Sequence, residues 1–145
     1  MAAHGDEINV DGKRLAVVGN SAGGNIATVT ALRCKLEGGP ALKAQVLFCP
    51  GTDANLERAS SNEYADGYML TKSMVNWFWD NHVPNLEQRT EIYASPLQAS
   101  IDQLKDLPPV HIQVAEMTCY ETKESPMHVN STPPGWRSRW CAMTP

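Results

Sequence analysis

The stretch Arg14-Leu-Ala-Val-Val-Gly19-Asn-Ser-Ala-Gly23 decides the architecture of this chain. Its first half, Arg14 to Gly19, is a short apolar run closed by glycine, the pattern of a strand buried on both faces of a sheet. From Ala22 onward Ile26, Val29, Leu32 and Leu36 recur every three or four residues, which predicts a helix with those side chains turned to the core. Gly38-Gly39-Pro40 supplies its stop. A second buried strand follows at Ala44-Gln-Val-Leu-Phe-Cys49 and is ended by Pro50. Strand, helix and strand in succession make a βαβ unit, expected to be right-handed and part of a mostly parallel sheet, so the class is α/β.

Outward from this unit, the region from Gly51 to Leu107 carries little strand signal and one good helix. That helix begins at Thr71 as N-cap, places Met74, Trp77 and Phe78 on one face, and ends between Asn81 and Pro84. Aromatic side chains at helical spacing are more often core than substrate site, so Trp77-Phe78-Trp79 reads as packing. After Pro108-Pro109, the alternation of Val110, Ile112 and Val114 predicts a third strand over Val110 to Ala115.

At 145 residues the chain fits one ordinary domain. Its 42% hydrophobic content and formal charge of −4 describe a soluble protein without the basic excess that would suit nucleic acid or an anionic membrane. No apolar run is long enough to span a bilayer. Met1-Ala-Ala-His-Gly-Asp-Glu7 has neither a cationic start nor an apolar stretch, so the expected location is cytoplasmic. Cys34, Cys49, Cys119 and Cys141 show no metal or redox spacing and read as reduced thiols. The acidic stretch from Asp53 to Asp66 fits no calcium-loop pattern, and no metal site is expected.

The chemically pointed signal is Gly19-Asn20-Ser21-Ala22-Gly23, a G-x-S-x-G motif set between a predicted strand and a predicted helix. A serine hydroxyl becomes a nucleophile when it is held exposed beside a base, and a tight strand-to-helix turn lifts it above the sheet. Such a turn strains the serine backbone and crowds its neighbours, so Gly19 and Gly23 are expected to be the positions that cannot carry a side chain. The helix that follows aims unpaired N–H groups at the site, and the N–H of Ala22 is the candidate donor to an oxyanion. Read more plainly, the same turn is a glycine-rich packing or phosphate-binding loop; its strand-turn-helix setting favours the nucleophile.

With these residues in place, the sequence resembles the hormone-sensitive-lipase-like (family IV) carboxylesterases of the α/β-hydrolase superfamily. The resemblance runs from about Ile8 to Glu116, on Asn9-Val-Asp-Gly-Lys-Arg-Leu-Ala-Val-Val-Gly19, Ser21-Ala-Gly-Gly-Asn-Ile-Ala27, Tyr93-Ala-Ser-Pro-Leu97 and Leu107-Pro-Pro109. Asn20 departs from it, because the family usually places Asp there. The resemblance implies hydrolysis of short-chain carboxylic esters through an acyl-enzyme on Ser21, with a small-molecule substrate and no cofactor. It also implies an oxyanion loop of sequence His-Gly-Gly-Gly and a triad of Ser, His and Asp. No His-Gly-Gly-Gly occurs here, so the N-terminal strands and that loop are expected to be missing.

The triad acid raises a separate matter. The family pattern after the third strand is roughly A-E-x-D-x-L-R-D-E-G-E, whereas this chain reads Ala115-Glu-Met-Thr-Cys-Tyr-Glu-Thr-Lys-Glu124. Codons for Met117-Thr-Cys-Tyr-Glu121, read from the last base of the methionine codon, allow Asp-Val-Leu-Arg. The same frame allows Asp-Glu-Gly-Glu next, and family-like sequence as far as Arg137. The expectation is a one-base loss just after the Glu116 codon: residues 1–116 form a partial α/β-hydrolase domain and 117–145 an out-of-frame, disordered tail. Thr118 then stands where the acid belongs. His4, His82, His111 and His128 each read as surface or packing residues, and Glu116, two positions before the acid, is assigned no role. The chain is thus expected to be a serine carboxylesterase by resemblance but inactive as it stands. The alternative is a non-enzymatic remnant; oligomeric state is not legible.

Overall fold

A computed structural model of the chain describes residues 3–114. The expected boundary at residue 116, the shifted stretch beyond it, Thr118 and His128 lie outside the described residues, as do Cys119 and Cys141. Three parallel strands, β1 (Leu15–Asn20), β2 (Leu42–Phe48) and β3 (Val110–Gln113), form a sheet in the order β1-β2-β3. Helix α1 (Ala22–Leu36) crosses from β1 to β2. Between β2 and β3 the chain makes a mostly helical excursion through α2 (Ala59–Glu63), α3 (Lys72–His82) and α4 (Ile101–Leu104). The βαβ unit and the third parallel strand stand where the sequence pattern put them, with boundaries moved by one or two residues.

Two faces differ from expectation. On α1 the buried residues are Gly24, Asn25, Ala27, Thr28, Ala31 and Leu32, while Ile26 and Leu36 are exposed. The helix lies close to the sheet, and small side chains are what permit that approach. A Cβ on Gly24 would sit 2.7 Å from Pro50 Cβ, and buried Thr28 turns its hydroxyl back to Gly24 O at 2.9 Å. Apolar size guided rightly at Leu32 and wrongly at Ile26 and Leu36; Leu32 apart, small side chains mark most of the inner face. On α3 the buried pair is Val75 and Trp79, packed with Leu56 and Ala94, and the predicted face of Met74, Trp77 and Phe78 is partly or largely exposed.

β1 is half-buried with alternating burial, which corrects the expectation of a strand covered on both sides. Val17, Leu47, Val110 and Ile112 meet Ala27 of α1 on one face. Val18 and Phe48 point to the other and are exposed, because among the described residues α1 is the helix laid against the sheet.

Helix ends follow ordinary capping chemistry. Gly38, in the left-handed region at φ 78°, turns the chain after α1, and the Gly39 N–H donates to Cys34 O at 2.7 Å. Thr71 caps α3 by accepting from the Met74 N–H, as its sequence position predicts. Ser100 and Gln103 form a reciprocal capping box on α4. Lys35 of α1 donates to the carbonyls of Asp102, Gln103 and Lys105, which pins α4 against α1 over a core of Ala31, Leu32, Leu104 and Leu107. Among the described residues no helix is long and apolar enough to cross a membrane, and Cys34 and Cys49 are free thiols.

Candidate functional site

Ser21 occupies the single residue between β1 and α1, with φ 54° and ψ −118°. A non-glycine residue seldom adopts positive φ, and holding one there costs about 1–3 kcal/mol, so its surroundings must enforce it. They do so through the backbone. The Ser21 N–H donates to Phe48 O at 2.9 Å, and Ser21 O accepts from the N–H groups of Gly24, Asn25 and Gly51 at 3.0, 3.2 and 3.3 Å. The start of α1 and the exit of β2 therefore clamp the turn from both sides.

Gly19 stands beneath this turn, where a Cβ would come within 2.0 Å of Gly23 O and 2.2 Å of Gly23 C. Its lack of a side chain is a steric requirement, as expected. Gly23 differs: a Cβ there would meet nothing within 4 Å. The second motif glycine matters for where its carbonyl lies under Gly19, and the close approach that sequence reasoning gave it belongs to Gly24 against Pro50.

A cavity of about 430 Å³ opens over Ser21, lined by Ser21, Ala22, Asn25, Gly51, Phe78, Trp79, Asn81 and His82. That volume suits a small ligand. The Ser21 hydroxyl has no hydrogen-bond partner among the described residues, and neither do the N–H groups of Ala22 and Gly23, the first two of α1. Two open donors at a helix N-terminus beside a free hydroxyl form a place where negative charge on a bound oxygen is favoured. Among the described residues no lysine, arginine or carboxylate lines the cavity. Among the described residues no cluster of His, Cys, Asp and Glu could hold a metal ion.

The site therefore gathers Ser21 and Ala22, with Gly19 and Gly23 supporting the turn from below, and adds residues the motif did not name. Asn25 is buried and its Nδ2 donates to Gly51 O and to Ala94 O, each at 2.7 Å, joining α1 to two loops at the cavity floor. Phe78 and Trp79 of α3 form a cavity wall, so the aromatic run serves packing and site together, while Trp77 points away. Asn81 and His82, read from sequence as the end of a helix, also face the cavity. The signal for Asn25 was available: a lone amide in the first helical turn, on the side that faces the sheet.

A family model described as the alpha/beta hydrolase fold matches residues 1–127. The chain belongs to the alpha/beta hydrolase family. Within this family it falls among the hormone-sensitive-lipase-like esterases. The hydrolase chain is 39% identical over 105 residues to the vegetative-specific protein H5 of Dictyostelium discoideum, covering 70% of this chain and 31% of that one. It is 32% identical over 102 residues to the ethyl acetate hydrolase of Pseudomonas putida, covering 70% and 32%. The crystal structure of a thermostable esterase from Pseudomonas putida ECU1011 superposes with a TM-score of 0.85 at 49% identity, over 90% of this chain and 42% of that one. The chain thus spans about a third of the length of the curated relatives it matches.

Proposed function

We propose that this hydrolase chain carries the nucleophile of an enzyme for short-chain carboxylic esters, and that Ser21 is that nucleophile. The observation that carries the reading is a serine held at positive φ between strand and helix, its hydroxyl free and open to a cavity of small-ligand size. Ser21 Oγ attacks the ester carbonyl carbon, the Ala22 N–H donates to the oxygen that takes up the electron pair, and the alcohol leaves an acyl-Ser21 for water to cleave. Gly19 and Gly23 keep the turn in shape, and no metal or cofactor takes part. The ester is small and uncharged, since the cavity offers it apolar walls and neutral polar groups. The ethyl acetate hydrolase among its relatives supports a short acyl chain.

Turnover by this chain is expected to be slow. Among the described residues no carboxylate lines the cavity to orient a base. Diethyl p-nitrophenyl phosphate tests the nucleophile without needing turnover, because it phosphorylates an activated serine and releases one p-nitrophenolate. We expect one equivalent of label, found by mass spectrometry on the peptide containing Ser21, and its loss in Ser21→Ala. A second reading, a non-catalytic remnant, draws on the apolar face at Val18 and Phe48 that the described residues leave exposed; absence of label on Ser21 selects it.

The same reading holds that the sequence leaves its frame after Glu116. Sequencing the DNA across the codons for Ala115 to Thr122 checks this: an additional base after the Glu116 codon restores Asp-Val-Leu-Arg. An unchanged run of codons removes the shift from the proposal.

A further inference from the structure

We infer that Cys49 is a positioning residue for Ser21: the positive φ at which it is held turns Pro50 and Gly51 over the elbow and fixes the backbone from which the Ser21 hydroxyl projects. The inference rests on the reading of Ser21 as nucleophile and adds the residue that holds its turn in shape from the neighbouring strand. Among the described residues Asn9, Ser21, Cys49 and Asp106 have positive φ without being glycine. Asparagine and aspartate tolerate that region, because their short polar side chains bond to nearby backbone; cysteine has no such means. Cys49, at φ 42°, is doubly out of place, since the proline that follows it favours an extended backbone. A strained residue of this kind persists only where its surroundings demand it.

The demand can be followed bond by bond. Asn20 pairs with Phe48 and Phe48 with Gln113, so Ser21 and Cys49 leave the ends of β1 and β2 side by side. The Cys49 N–H still donates to Gln113 O of β3 at 2.7 Å, which holds the residue to the sheet as far as its own amide. The rotation to positive φ comes at the next bond and turns the chain back toward α1. Pro50 then lies against Gly24, where a Cβ on the glycine would come within 2.7 Å of Pro50 Cβ, and the Gly51 N–H donates to Ser21 O at 3.3 Å. Asn25 Nδ2 closes the circuit by donating to Gly51 O at 2.7 Å. At the negative φ that cysteine before proline prefers, the chain would leave in another direction and carry Gly51 away from Ser21 and from the cavity it lines. The role belongs to the backbone of Cys49, and its free thiol takes no part.

The test measures the rate of Ser21 phosphorylation by diethyl p-nitrophenyl phosphate in the whole chain, in Cys49→Val, in Cys49→Gly and in Ser21→Ala, with circular dichroism and urea midpoints confirming that folded proteins are compared. Valine, branched at Cβ, is poorly tolerated at positive φ and drives the turn out of shape, whereas glycine adopts it freely. Cys49→Val is expected to keep the fold and to label roughly 10- to 100-fold more slowly, the loss that follows from a small misplacement of a reacting atom. Cys49→Gly is expected to recover the rate that valine loses. A residue serving stability alone would move the urea midpoint and leave the rate of the folded chain where it was. Cys49→Thr, also branched and nearer to cysteine in size, takes the place of the valine variant if that one does not fold. Labelling of the folded branched variant at the parent rate overturns the role of Cys49. A Cys49→Gly variant as slow as Cys49→Val overturns it too, because the effect then belongs to the thiol; either result leaves Ser21 as the nucleophile. Failure of the parent chain to label above Ser21→Ala overturns the reading of Ser21, and this inference with it.

Discussion

Gly19→Ala is expected to unfold the chain or cost about 4 kcal/mol or more, a loss reserved for changes that backbone cannot accommodate. The added methyl would lie 2.0 Å from Gly23 O, 2.2 Å from Gly23 C and 2.6 Å from Gly24 N, all in the first turn of α1. Nothing flexible stands among these atoms. Relief requires lifting the start of α1 off β1, which breaks the bonds from Gly24 and Asn25 to Ser21 O and the packing of Ala27 on Leu47. Gly23→Ala, two residues past the serine, is the matched control. Its methyl meets open space on a helical backbone, so the loss should be near zero or reversed by the helix preference of alanine over glycine, about 1 kcal/mol. Gly24→Ala falls between, since the methyl presses on the rigid ring of Pro50. Urea denaturation followed by circular dichroism ranks the three. Equal midpoints for Gly19→Ala and Gly23→Ala would show that the motif glycines share one role and that the close approach at Gly19 is not what holds the turn.

The contrast between these glycines marks how far the sequence could be read. Period and punctuation placed the βαβ unit: a run closed by Gly19, a helix stopped at Gly38-Gly39, and a strand ended by Pro50 all lie within two residues of their predicted bounds. The motif placed Ser21 and Ala22 at the cavity because strand, turn and helix are each set by local sequence. Orientation was harder. Leu32 is core as its hydropathy predicts, but Ile26 and Leu36 are exposed, and where α1 lies closest to the sheet it buries Gly24, Ala27, Thr28 and Ala31, a closeness that no local pattern encodes. Likewise Phe78, Asn81 and His82 come to line the same cavity as Ser21 through the packing of α3 beside the elbow, about sixty positions further along the chain. Periodicity within α3 could rank its faces but could not say what each would meet.

Asn25 shows what such non-local contacts are worth, and its replacement is the second large effect expected. Its amide satisfies two carbonyls in two loops, Gly51 O after β2 and Ala94 O before the last short helices, and the residue is only 4% exposed. Asn25→Leu leaves both oxygens without a donor in a site that water reaches poorly. At about 1–3 kcal/mol for each buried group left unpaired, the loss should be about 2–6 kcal/mol. Gly51 also donates to Ser21 O and lines the cavity, so loosening it relaxes the strained turn and slows labelling of Ser21 beyond the loss of stability. Asn25→Asp separates the hydrogen bonds from the side-chain shape. An ionised carboxylate has no proton to give and would face two carbonyl oxygens, so both contacts become repulsive. Burial and that repulsion both favour the neutral acid, which raises the folded-state pKa of the introduced carboxyl above its unfolded value of about 3.9. The unfolded chain then releases its proton first as pH rises, and the folded state loses ground. The deficit of Asn25→Asp relative to the parent should therefore be smallest below about pH 4 and grow as pH climbs toward neutrality, whereas that of Asn25→Leu should stay level. Urea midpoints across this range distinguish the two patterns. A flat deficit for Asn25→Asp would mean that the two carbonyls turn to other donors, and that the amide positions the loops by its shape alone.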